Sequence, residues 1–371
     1  MLFRRISKTL VLLAAFLPLA ASAQMGFFNT LYGTVTDART GKAVPGVNVF
    51  LSETTLGAMT DSSGNYAIEG APPGGCDLVF QHVGYEITTQ TLTLSDNGNK
   101  RVDVHLHPKV LQGPEITVTS PFPREWRKRF GEFEKAFLGE TGNASQCVIR
   151  NPEAVQFKPD PSGDGWAAFS DQAVVVENRI MGYTVRCHII HFGWSRYVVT
   201  VRQKVFSIFK LIPAASREQQ NRWEKNRENA YRGSVKHFLS AFAHGKIKEE
   251  GFRVFESRVQ IFEGSRHPLE EVSNRYPIPP DNLYAVLRRT AYTDTSSAVR
   301  SGTVLKTLAF DDWLKVDYQK RKSFITLEGP IVADTLGNIW NAVRITLAGN
   351  WGRYGLADRL PSDYVPPRFS P

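Results

Sequence analysis

From residue 29 to about 108 the chain alternates apolar and polar side chains with a period of two. Leu31, Gly33 and Val35 make the first run. Val47, Val49 and Leu51 make the next, followed by Tyr66 with Ile68, Leu92 with Leu94, and Val102, Val104 and Leu106. A period of two puts each set on one face of a strand, whereas a helix would need a period of 3.6. Turn residues separate the runs: Thr40-Gly41, Pro45-Gly46, Asp61-Ser62-Ser63-Gly64-Asn65, Pro72-Pro73-Gly74-Gly75 and Asp96-Asn97-Gly98-Asn99. Glycine and asparagine supply positive φ, while aspartate and serine satisfy turn amides. Short strands with turns at regular spacing predict an all-β sandwich.

Within this frame a set of motifs occurs in order: Gly33-Thr34-Val35-Thr36-Asp37, Gly41, Pro45-Gly46-Val47-Asn48-Val49, Thr60-Asp61-Ser62-Ser63-Gly64-Asn65-Tyr66 and His82-Val83-Gly84-Tyr85. The set resembles the carboxypeptidase-regulatory-like, or peptidase-associated, domain family. The resemblance implies a seven-stranded transthyretin-like sandwich. It also implies an accessory role in folding, docking or ligand presentation. In that family the module precedes the plug of TonB-dependent outer-membrane transporters or follows the catalytic domain of zinc carboxypeptidases, and it performs no chemistry in either place.

The chain begins with Arg4, Arg5 and Lys8, then the apolar run from Leu10 to Leu19, then Ala21-Ser22-Ala23. That order predicts a signal peptide over 1–23, cleaved before Gln24. The run is shorter than the ~20 residues a membrane-spanning helix needs. The formal net charge of +9 is uneven: residues 24–110 hold five Lys/Arg against eight Asp/Glu, so the basic excess lies beyond them. An acidic module joined to a basic one points to two domains, 24–108 and 124–371, with a proline-rich linker over 109–123. Cys76, Cys147 and Cys187 are an odd set, so at least one thiol stays free. Export would permit Cys147 and Cys187 to pair, and buried small hydrophobes is the simpler reading.

The second domain reads as β-rich α+β with two helices. Trp126, Phe130, Phe133 and Phe137 share one helical face over 124–138, suited either to packing on a sheet or to lying on an anionic membrane. Residues 148–212 are rich in β-branched and aromatic runs. A long helix follows over about 215–244, opened by the capping box Ser216-Arg217-Glu218-Gln219, with Gly233-Ser234 in mid-stripe marking a break or kink. Strands alternate again beyond 252. Residues 226–239 and 349–364 resemble segments of uncharacterised exported bacterial proteins, which implies organisation and no mechanism.

Four basic residues of the long helix, Arg222, Lys225, Arg232 and Lys236, form the candidate anion-binding face. Glu218, Glu224 and Glu228 between them fit ordinary i, i+4 pairing as well. Asp103, His105 and His107 alternate along one strand and are the candidate metal ligands. Spacings of ~6–7 Å along a strand leave them short of one ion without help from another element. In Cys187-His188-Ile189-Ile190-His191 a regular strand puts Cys187 and His191 on one face and His188 on the other. His267-Pro268-Leu269-Glu270 has the spacing of a carboxypeptidase zinc motif, but no histidine follows to complete it. Ser207-Ile208-Phe209-Lys210 lacks the companion motifs of a Ser-x-x-Lys enzyme. No catalytic residue and no cofactor is assigned.

The expectation is an exported, non-catalytic binding or scaffolding protein of the bacterial cell envelope, periplasmic, outer-membrane associated or extracellular. Its partner would be an envelope protein, glycan or lipid headgroup, with no nucleic acid. The alternative is a secreted hydrolase with an unrecognised active site in 124–371.

Overall fold

A computed structural model describes residues 29–94, 98–109, 122–160, 165–194, 201–257, 305–310, 313–340 and 344–367. The segment expected to be a signal peptide, most of the expected linker and His267-Pro268-Leu269-Glu270 fall outside the described residues. The architecture is mainly β, as the alternation requires.

The first body holds β1 (Asn29–Asp37), β2 (Asn48–Leu51), β3 (Gly57–Met59), β4 (Asn65–Ala71), β5 (Gly74–Gln81), β6 (Thr88–Leu94), β7 (Asn99–Arg101) and β8 (Val104–Leu106). One sheet sets β1 between antiparallel β4 and the parallel pieces β7 and β8; the other runs β3-β2-β5-β6. Tyr32 faces Arg101 and Val35 faces Val104. β7 and β8 therefore keep one register and form a single strand broken at Val102-Asp103, which gives the seven lines of the sandwich. At the break the Asp103 carboxylate replaces a main-chain acceptor and takes the Thr34 amide at 2.8 Å. A Cβ on Gly33 would run into the Val102 carbonyl, so this crossing needs glycine. Leu31, Val35, Val49, Leu51, Ile68, Leu78, Phe80 and Leu106 fill the space between the sheets.

The second body holds α1 (Arg124–Leu138), β9 (Cys147–Ile149), β10 (Val155–Pro159), β11 (Trp166–Ser170), β12 (Val174–Asn178), β13 (Tyr183–Trp194) and β14 (Val201–Leu211). The sheet runs β10-β11-β13-β12-β9, with β14 paired along β13. The aromatic face of α1 packs on this sheet: Phe133 and Phe137 are buried and meet Phe192 edge-on, with centroids at 5.4 and 5.3 Å. Of the two roles that face suited, the structure uses it for core packing.

The third body holds α2 (Arg217–Tyr231), α3 (Val235–His244), β15 (Phe252–Ser257), β16 (Lys306–Leu308), β17 (Trp313–Tyr318), β18 (Arg321–Leu327), β19 (Ile331–Ala333) and β20 (Ile345–Gly349). A sheet β15-β17-β18-β20 carries α3 on one face, and β16 pairs β19. The helix expected over 215–244, with a break or kink marked at Gly233-Ser234, is two helices separated there, so the described residues hold three helices rather than two. Gly233 sits at φ +75°, and a Cβ there would enter the Tyr318 ring. Ser216 and Ser234 each cap a helix, accepting from the amides of Gln219 at 3.2 Å and His237 at 3.1 Å. Among the described residues no helix is long and apolar enough to cross a membrane.

A seam joins the first body to the others. Phe50 and Val79, on the outer face of the β2–β5 sheet, pack with Phe206 and the half-buried Ile87 and Ile208. The chain after 350 returns past all three bodies, adding Trp351 to the third core and Leu356 and Ala357 to the second.

Candidate functional site

The turn after β2 enters the seam between β14 and the returning C-terminal segment. Glu53 adopts φ +62°, a strained value for a residue with a Cβ. Its amide donates to the Ser207 carbonyl at 2.6 Å, and its own carbonyl accepts from the Ser362 amide at 2.7 Å. Its carboxylate meets Arg359 at 2.7 Å. The Phe209 amide donates to the Thr54 carbonyl at 2.8 Å, and the Asp363 carboxylate takes the Thr55 amide at 3.1 Å and the Thr55 hydroxyl. Beneath this turn the Lys236 ammonium donates to Asn338 Oδ1 and the Pro361 carbonyl, both at 3.1 Å, and to the Ser362 carbonyl at 2.7 Å. Burial pushes its amine down to about 8, against the opposing pull of Asp334, Asp363 and Glu53. His188 lies over Phe50 with ring centroids 6.1 Å apart and is buried. Among the described residues its Nδ1 has no hydrogen-bond partner. Burial, with Arg186 adding to it, pushes the imidazole down to about 4.

These placements redraw the residues singled out in the sequence. Arg222 and Lys225 are exposed on α2, Arg232 lies beyond its end and pairs with Glu228, and Lys236 starts α3 with its ammonium committed to the seam. The break at Gly233 scatters the four, and they make no common face. Asp103 is held by Thr34 and, at 2.9 Å, by Arg101; these bonds keep its carboxyl below the usual range. His105 Nδ1 contacts the Thr36 hydroxyl at 2.6 Å, and His107 is exposed. Among the described residues no three His, Cys, Asp or Glu side chains are placed to hold a metal ion. The regular alternation expected at 187–191 is interrupted by a register shift between Ile189 and His191. Phe192, not His191, therefore joins Cys187 in the core. Cys76, Cys147 and Cys187 are free thiols, each pushed up to about 12 chiefly by burial. They behave as small hydrophobes rather than nucleophiles.

A polar cleft of about 390 Å³ opens where the second and third bodies meet. Thr141 and Asn143 follow α1, Asn226 and Asn229 come from α2, Arg321 begins β18, and Asn350, Arg353 and Tyr354 follow β20. Asp358 closes one side, its carboxylate accepting from Thr141 Oγ1 at 2.8 and 2.9 Å and from Asn143 Nδ2 at 2.9 Å. Burial outweighs those bonds and raises its carboxyl above the usual value. The Tyr354 hydroxyl accepts from Asn350 Nδ2 at 2.8 Å and from Arg321 Nη1 at 3.4 Å. Arg353 Nη2 donates to the Glu140 carbonyl at 2.8 Å. Sequence reasoning missed this cleft because five distant segments build it, and no local spacing links them. The nearest signal was the run Asn350-Trp351-Gly352-Arg353-Tyr354, in which buried Trp351 anchors a polar turn.

Comparison with known proteins bears on the first body. The CarboxypepD_reg-like domain family matches residues 31–118. No curated protein matches the chain. Among solved structures, catechol 1,2-dioxygenase from Acinetobacter sp. is 14% identical at a TM-score of 0.21, covering 27% of this chain and 59% of that one. A minor pilin of Streptococcus agalactiae is 21% identical at 0.19, covering 26% and 48%. A DUF3823 family protein from Parabacteroides merdae is 11% identical at 0.18, covering 50% and 81%. This chain thus spans only about half to three fifths of the first two structures. The motifs, the sandwich and the family match agree on one assignment: residues 31–118 are a CarboxypepD_reg-like domain.

Proposed function

We propose that this chain is exported to the bacterial cell envelope and works there as a non-catalytic binding or scaffolding protein. The CarboxypepD_reg-like domain serves as an accessory body docked on the region that carries the cleft. One observation supports this reading above the others: among the described residues, the three thiols, His188 and Lys236 are buried or engaged in structure. The three thiols are held far from their reactive form. His188 is kept neutral in an apolar seam, and Lys236 is saturated by three oxygen acceptors. The cleft, by contrast, is lined mainly by amides, hydroxyls and guanidiniums, which recognise rather than attack, and its one carboxylate, Asp358, is held by Thr141 and Asn143.

The test has two arms. Fractionation of cells producing the full chain, with N-terminal sequencing, is expected to find it in the envelope starting at Gln24. Immobilised protein is expected to retain an envelope component and to leave peptide and ester substrates unchanged. A cytoplasmic, uncleaved chain overturns the export reading. Turnover of a peptide by the purified protein overturns the non-catalytic one.

A further inference from the structure

We infer that the cleft binds a carboxylate-bearing sugar, with Arg321 and Arg353 receiving the carboxylate and the asparagines and Tyr354 the ring hydroxyls. This rests on the binding reading above and names its ligand class. Arg321 and Arg353 both line the cleft, and among the described residues neither meets a carboxylate within ion-pair distance. A guanidinium offers five N–H donors. Arg353 commits one to the Glu140 carbonyl, and among the described residues Arg321 makes two long hydrogen bonds, both at 3.4 Å, to the Tyr354 hydroxyl and the Arg232 carbonyl, with its guanidinium 5.5 Å from the Tyr318 ring centroid. Each arginine therefore retains donors for a planar anion, which its fork fits in bidentate fashion.

The one acid in the cleft does not compete for them. Asp358 is engaged by Thr141 and Asn143. Two guanidiniums against one carboxyl leave the cleft with a positive balance.

The remaining lining argues for a sugar over a small inorganic anion. A phosphate would leave most of the roughly 390 Å³ empty, whereas this volume lies in the usual range for small organic ligands. Tyr354 accepts two hydrogen bonds and keeps its own proton to donate. Asn229 is exposed at the rim, and Asn226 spends its Nδ2 on the Ile180 carbonyl at 2.7 Å, leaving its Oδ1 to accept. Alternating donors and acceptors of this kind match vicinal hydroxyls. Ile180 and Ala230 give the wall an apolar patch for the C–H face of a ring.

Calorimetric titration of the full chain with digalacturonate tests this, with its dimethyl ester and inorganic phosphate as parallel probes. Digalacturonate is expected to bind at least tenfold more tightly than either. Arg353→Gln, a change at an exposed residue, is expected to weaken it at least tenfold with an unchanged Tm. Arg321→Lys is expected to weaken it as well, because it keeps the charge and loses the fork. Equal affinity for the ester overturns the inference, as does tighter binding of phosphate, unaltered affinity in Arg353→Gln, or no binding of any probe. Each of these leaves the envelope-retention result standing, so failure of the ligand class is distinguishable from failure of the binding reading.

Discussion

The seam and the cleft are built from the same kinds of residue and end in opposite states. In the seam the charged groups Glu53, Lys236 and Asp363 have partners in Arg359, three oxygens and Thr55, while the uncharged His188 Nδ1 and Ser207 hydroxyl have none among the described residues. Beside them Phe50, Val79 and Phe206 form a small buried apolar cluster. In the cleft the guanidiniums keep donors unspent, and the space before them is open. A polar group that is buried and satisfied specifies a structure, while one that is partly satisfied and solvated awaits a ligand. The difference teaches that charged residues in this chain are informative about binding only where the fold leaves them something to do.

Changes on the seam side are expected to cost stability and to leave digalacturonate affinity intact. The largest effect is expected from Phe50→Ala, because Phe50 is 3% exposed and its loss opens a cavity between two bodies. Truncations of this kind cost about 3–5 kcal/mol, measurable by chemical denaturation.

Next comes acid. The unfolded state protonates His188 near its ordinary value of 6.5, whereas the folded state resists until about 4. Stability therefore falls as pH drops through that window, by up to about 3 kcal/mol for a shift of this size. His188→Phe is expected to flatten that slope in denaturation midpoints taken between pH 7 and 4.

Lys236→Met leaves the oxygens of Asn338, Pro361 and Ser362 without their donor, at a cost of about 1–3 kcal/mol. The folded amine titrates near 8 and the unfolded one near 10.5, so the unfolded chain binds more protons between those values. Wild-type stability is then expected to rise relative to the variant as pH climbs from 8 to 10.5. The smallest effect is expected from Arg359→Ala. Its pair with Glu53 is 33% exposed on the arginine side and 42% on the glutamate side, and such pairs are worth about 1 kcal/mol or less. Loss of digalacturonate binding in any of these four variants would break the separation of seam from cleft.

The sandwich was readable because its rules are local. Leu31, Val35, Tyr66, Ile68 and Leu106 keep a period of two, and turn residues fix the spacing between strands. The seam left a signal in the same stretch. Val49-Phe50-Leu51 and Leu78-Val79-Phe80 break the alternation with continuous apolar runs, as strands buried on both faces do. A reading tuned to alternation takes Phe50 as an exception and passes over β5, whose first residues look like a turn. In the helix over 215–244 Gly233-Ser234 marked the break, but its packing reason, Tyr318 filling the space beside Gly233 from another strand, was not in the local sequence. The anion face failed for the same reason, since the pattern of Arg222, Lys225, Arg232 and Lys236 assumed one continuous axis. The cleft was not readable at all, because Asn143, Asn229, Arg321 and Arg353 meet only through the packing of two bodies.

Hydrogen exchange of the full chain, with and without digalacturonate, tests the contrast most directly. Ligand is expected to slow exchange in residues 321–322 and 350–354 and to leave residues 50–56 and 205–211 unchanged, already protected. Protection gained at the seam with the cleft unaffected would contradict the account.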